Sequence, residues 1–82
     1  GSAYFIPANQ SLDIQSIGIG LGTTIEKIEL FVNEGLTETA FNDTLNYTYS
    51  SGTDYGQNLL MVVAHENGTL TDTAWLPIYV MT

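Results

Sequence analysis

Ile25-Glu26-Lys27-Ile28-Glu29-Leu30-Phe31-Val32-Asn33 decides the fold. Apolar Ile28, Leu30 and Val32 alternate with Lys27 and Glu29, and a period of two with one wet face marks a half-buried β-strand. Asn33-Glu34-Gly35 then supplies a turn. Leu45-Asn46-Tyr47-Thr48-Tyr49-Ser50 repeats the pattern, with large apolar side chains at the odd positions and small polar ones between. Leu59-Leu60-Met61-Val62-Val63-Ala64 is apolar at six consecutive positions and is closed by Glu66-Asn67-Gly68. Too short for an ordinary helix, it reads as a central strand covered on both faces. Asn67-Gly68 suits a tight primed turn because both residues accept the left-handed conformation, so the strand over 70–80 runs antiparallel to it. There Ala74, Leu76, Ile78 and Val80 alternate with Thr73, Trp75, Pro77 and Tyr79. Pro77 cannot donate to a ladder, which places this strand at an edge.

Working upstream, the apolar positions of residues 12–21 switch from even to odd after Ile14, as one bulged residue near Ser16 in a single strand would produce. Residues 3–6 form a short first strand, 36–41 a short edge strand, and 50–56 a loop rich in Ser and Gly. Turn signals recur about every ten residues with no helical stretch between them. The expectation is an all-β fold, an immunoglobulin-like antiparallel β-sandwich of about seven strands. Residues 3–82 make one domain, since 82 residues enclose a single core; Gly1-Ser2 reads as the scar of a removed tag.

A chain 44% hydrophobic and only 12% charged is too apolar to stay disordered. One Lys against nine Asp and Glu gives a net charge of -8. That charge repels nucleic acid and anionic lipid, and no apolar run approaches the ~20 residues that a helical span needs. With no Cys, the chain has no disulfide, zinc-thiolate or thiol chemistry. Catalysis needs an activated nucleophile or an acid–base pair; one His and dispersed carboxylates assemble neither, so the sequence reads as a non-enzyme without cofactors. His65, at the end of the central strand, reads as a surface residue. Gly18-Ile19-Gly20-Leu21-Gly22 has Thr23 where a dinucleotide fingerprint needs its third Gly, and no helix follows. Asp54 and Glu66 fall short of the six to eight oxygens of a calcium site, so no metal is expected. Asn9, Asn42, Asn46 and Asn67 head N-glycosylation acceptor triplets, several of which arise by chance in a chain this rich in Thr and Asn.

The informative feature is what alternation leaves outside. If Ile28, Leu30, Val32, Leu60, Val62, Ala64, Ala74, Leu76 and Ile78 point inward, then Phe31, Met61, Val63, Trp75 and Tyr79 share one outer face. Soluble monomers seldom keep a large contiguous apolar patch without a use for it. The five residues are therefore the candidate binding surface, unless a strand's phase shifts or the loop over 50–56 folds across it. The partner is a neighbouring domain, another protein, a second copy, or a sugar stacked on Trp75 and Tyr79.

Residues 25–35, 47–50, 56–68 and 71–80 resemble the motifs of bacterial immunoglobulin-like (Big-type) accessory domains. These carry an "I-x-K-V-E-L-F-V-N-G" strand, a "Y-x-Y" strand, a "G-x-x-x-L-x-V-x-A-x-D-x-x-G" strand and a threonine-rich final strand. Glu66 stands where that pattern has Asp, and the turn is shorter than the family's. The resemblance implies a non-catalytic module of an exported, periplasmic or cell-surface bacterial protein, a spacer, adhesion or protein-interaction domain. The alternative is a carbohydrate-binding module that accompanies a glycan-handling protein.

Overall fold

The computed structural model describes residues 4–20, 24–67 and 70–82. These form seven strands: β1 (Tyr4–Pro7), β2 (Ser11–Ile17), β3 (Ile25–Val32), β4 (Gly35–Ala40), β5 (Thr44–Ser50), β6 (Gly56–Glu66) and β7 (Thr71–Met81). One sheet has five strands in the order β1-β7-β6-β3-β4; the other pairs only β2 with β5. The seven strands thus become two stacked layers, and every second side chain enters the space between them.

The core is Ile6, Ile25, Ile28, Leu30, Leu45, Tyr49, Leu60, Ile78 and Val80, with Leu12, Ile14, Tyr47, Val62 and Leu76 packed around it. Leu30 and Leu60 are fully buried, and each such side chain contributes roughly 1.5–3 kcal/mol by leaving water. The register confirms the phase from the quoted stretch, since Leu30 pairs with Val62 while Phe31 pairs with Met61. Two buried polar side chains are satisfied. Asn58 donates from Nδ2 to the Asp54 carbonyl at 2.8 Å and accepts from Asn33 Nδ2 at 2.9 Å. Ser51 accepts from the Gln10 amide at 2.9 Å and donates to the Pro7 carbonyl at 2.9 Å. Ser51 thereby fastens the loop before β6 to the β1–β2 turn, where Asn9 adopts φ 58° and its amide meets the Gly52 carbonyl.

Four expectations change. β1 pairs in parallel with β7, Tyr4 opposite Ile78 through Pro7 opposite Met81, so the sandwich is not antiparallel throughout. This pairing also makes β7 an edge only as far as Pro77; from Ile78 onward it lies between β1 and β6. Pro77, which lacks an N–H, sits just before the second ladder begins. The bulge near Ser16 is absent: β2 and β5 keep an unbroken register from Ser11 to Ile17. The apolar switch arises because Ile17 and Ile19 are 60% and 77% exposed. Finally, β6 is central but covered on one face alone, its outward Leu59, Met61 and Val63 being half-buried by flanking side chains. Ala74 points inward yet is exposed, because it borders a gap between β7 and the end of β2 that it shares with Ile17 and Ile25. The tag residues Gly1 and Ser2, the Leu21-Gly22-Thr23 end of the glycine run, and Gly68 of the β6–β7 turn lie outside the described residues.

Candidate functional site

The outer face of the five-stranded sheet follows from the pairing. Asn33 at φ 48° and Glu34 at φ 73° form a two-residue loop between β3 and β4, the conformation of a primed turn. Asn33 locks that loop onto β6, its amide donating to the Leu59 carbonyl at 2.8 Å and its Oδ1 accepting from the Leu59 amide at 2.9 Å. Phe31 then lies opposite Leu36 on one side and Met61 on the other, and Met61 opposite Trp75. Leu36, Phe31, Met61 and Trp75 form one continuous row over four strands, roughly 14 Å long at the usual strand spacing.

Towards β1 the row is extended by Leu59 opposite Pro77, then by Tyr79 opposite Phe5. The Phe5 and Tyr79 rings touch with centroids 5.6 Å apart and planes tilted by 48°. In the other direction the face turns polar: Val63 lies between Glu29 and Thr73, and His65 between Lys27 and Thr71. The His65 imidazole Nε2 pairs with Glu29 Oε1, which ties β6 to β3.

Trp75 is 58% exposed, and Phe5, Leu36, Tyr79 and Met81 are exposed as well. An aromatic side chain can bury ~150–250 Å², so half-exposed residues of this kind add up to a patch on the order of 600 Å², the upper end for a monomer. At its centre is a groove of about 510 Å³ lined by Phe31, Asn33, Glu34, Leu59, Met61 and Trp75. Its floor is apolar and its rim carries an amide and a carboxylate.

All five residues singled out in the sequence lie on this face. Phe31, Met61 and Trp75 are in direct succession; Tyr79 lies two rows away, about 13 Å along β7 from Trp75; Val63 stands at the border with the charged end. The sequence reading missed Leu36, Phe5, Leu59 and Pro77. Leu36 had a signal, because a two-residue turn at Asn33-Glu34 puts Phe31 opposite Leu36. Phe5 had none, since only the parallel pairing with β7 brings it there.

The other candidates build little. The Gly18 amide donates to the Asp43 carbonyl at 2.8 Å. A Cβ on Gly18 would come within 3.2 Å of Ile25, so this glycine serves close packing. Among the described residues no group of three or more His, Cys, Asp or Glu is placed to hold a metal ion. The Tyr49 hydroxyl is buried and has no hydrogen-bond partner among the described residues. Burial pushes its pKa up, with Asp54 and Tyr47 adding to the shift.

No protein-family model matches the sequence, and no curated protein does. Among solved structures the chain is similar to the fibronectin(III)-like modules of Clostridium thermocellum CbhA, with a TM-score of 0.74 at 14% identity. The likeness covers 98% of this chain and 90% of that one. It establishes the fold: seven strands in two sheets, an immunoglobulin-like sandwich of the fibronectin III kind.

Proposed function

We propose that this sandwich is a non-catalytic module of an exported or cell-surface bacterial protein. It docks a protein neighbour, the next domain of its parent chain or another surface protein, through the outer face of the five-stranded sheet. The observation that carries the reading is the unbroken row from Leu36 to Trp75 with its extension to Tyr79 and Phe5. Stable interfaces take about 800 Å² per partner around an apolar centre enriched in aromatic side chains and Met, and this face has that composition and nearly that size. The net charge of -8 disfavours a second copy and favours a neutral or basic partner surface. The motif resemblance to Big-type accessory domains and the likeness to a fibronectin(III)-like module both fit a module that works beside other domains.

The test is oxidative footprinting of the isolated module against the longest natural chain that contains it. Met61, Trp75 and Phe31 are expected to be labelled several-fold less in the longer chain or its complex, while Tyr47 is labelled equally in both. Equal labelling of Trp75 everywhere overturns the reading.

A second reading, carbohydrate binding, draws on Trp75 exposed beside a groove rimmed by polar groups. Against it, the Phe5–Tyr79 pair is tilted rather than coplanar, which breaks the flat aromatic platform that a polysaccharide chain lies on. Retention on insoluble polysaccharide that is lost on Trp75→Ala and Tyr79→Ala would replace the first reading by this one.

A further inference from the structure

A second surface, on the sandwich's flank, is independent of the apolar face. Among the described residues β7 has β6 as its only neighbour from Thr71 to Pro77, because β1 joins at Ile78. The two-stranded layer has β5 on the side of β3 and β4, which among the described residues leaves the far side of β2 open on the same flank as β7. Two strand edges thus face outward together, one above the other. Between them lies a gap of about 180 Å³ whose walls include Ile17, Ile25, Val62, Ala64 and Ala74. At the other end of this flank β1 fills the equivalent space and sends Ile6 into the core. Here nothing among the described residues does the same, and Ile17, Ile19 and Leu70 stay exposed.

We infer that this flank accepts an extended polypeptide strand from a partner. The strand adds to the free edge of β7 in line with β1 and places alternate aliphatic side chains in the gap. Strand addition supplies affinity through main-chain hydrogen bonds and specificity through pockets for every second side chain. Asp72 sets the charge of the occupant. It lines the gap on the inward side of β7, and an inward-pointing charge on an edge strand blocks promiscuous pairing. Two copies of this chain brought together at the edge would gather like charges, since each carries nine acids and one Lys. A strand with Lys or Arg at its ends meets opposite charge instead. The occupant is therefore a basic, alternating aliphatic segment of another polypeptide.

A synthetic nine-residue peptide alternating Val and Thr, with Lys at both ends, is the probe. Amide exchange is followed residue by residue on the intact chain. Protection is expected to rise at least tenfold over residues 71–76 and to stay unchanged at the β4 edge, residues 36–40. Asp72→Lys, an exposed position, is expected to abolish protection by this peptide and to confer it on the same peptide with Glu ends. No protection, equal protection of both edges, or protection that survives Asp72→Lys overturns the inference. A response confined to Trp75 fluorescence overturns it too, because the peptide then lies on the apolar face.

Discussion

The outer faces of the two sheets obey the same alternation and carry opposite chemistry. On the two-stranded sheet Asp13 lies opposite Thr48 and Gln15 opposite Asn46, and each pair is joined by its own side-chain hydrogen bond, at 2.8 Å and 3.0 Å. On the five-stranded sheet the corresponding positions are Leu36, Phe31, Met61 and Trp75. A small acidic sandwich can therefore clothe an outward face in polar pairs, and does so on one side. The apolar row on the other side is not a by-product of strand propensity. It costs solubility and contributes little to the core, which lies on the inner side; the interface proposed above would account for it.

The largest expected effect tests the inside of that comparison. Leu30→Ala removes a fully buried side chain and should lower stability by about 3 kcal/mol in urea titrations. A loss below about 1 kcal/mol would mean that the inward and outward phases have been exchanged. Next, Phe31→Ala with Trp75→Ala should weaken partner binding by on the order of 2 kcal/mol, about thirtyfold, while unfolding midpoints shift little. Gln15→Ala with Asn46→Ala on the opposite sheet should leave binding unchanged, and any parity between the two pairs breaks the contrast. Glu34→Gly, at the turn that sets the register of the apolar row, relieves a left-handed non-glycine residue and should stabilise by about 0.5 kcal/mol. Glu34→Ala should give no gain. The smallest effect is on the two-stranded side, where Tyr49→Phe removes a buried hydroxyl that has no partner among the described residues and should leave stability within about 0.5 kcal/mol or raise it. Because the folded pKa of Tyr49 lies above its ordinary value of 10.0, the folded state holds that proton more tightly. Stability should thus fall as pH rises above 10.0, and the Phe variant should lose that dependence.

Residues 25–33 and 45–50 were legible because one wet face makes alternation unambiguous, and from their phase the direction of Phe31, Met61 and Trp75 followed. Residues 12–21 were misread because Ile17, the last residue of β2, and Ile19, just beyond it, are exposed aliphatics, and a periodicity argument assumes that every Ile is inside. The double role of β7 was hidden since it depends on where β1 returns, a parallel contact with no turn to announce it. The same contact brings Phe5 to the candidate site and separates the covered end of the flank from the open one. Short-range pattern thus gave the strands and the face, while the margins of the site came from pairings more than seventy residues apart in sequence.

That β1–β7 ladder has a mechanical meaning. Because the two strands run parallel, tension applied between Tyr4 and Met81 pulls them lengthwise in opposite directions. The evenly spaced bonds of a parallel ladder then share the load at once instead of opening one after another like a zipper. Pro7 and Met81 form the last rung, next to an amide of Ala8 that also reaches the Met81 carbonyl. Strung in a tethered protein, the domain would resist stretching through its shortest strand.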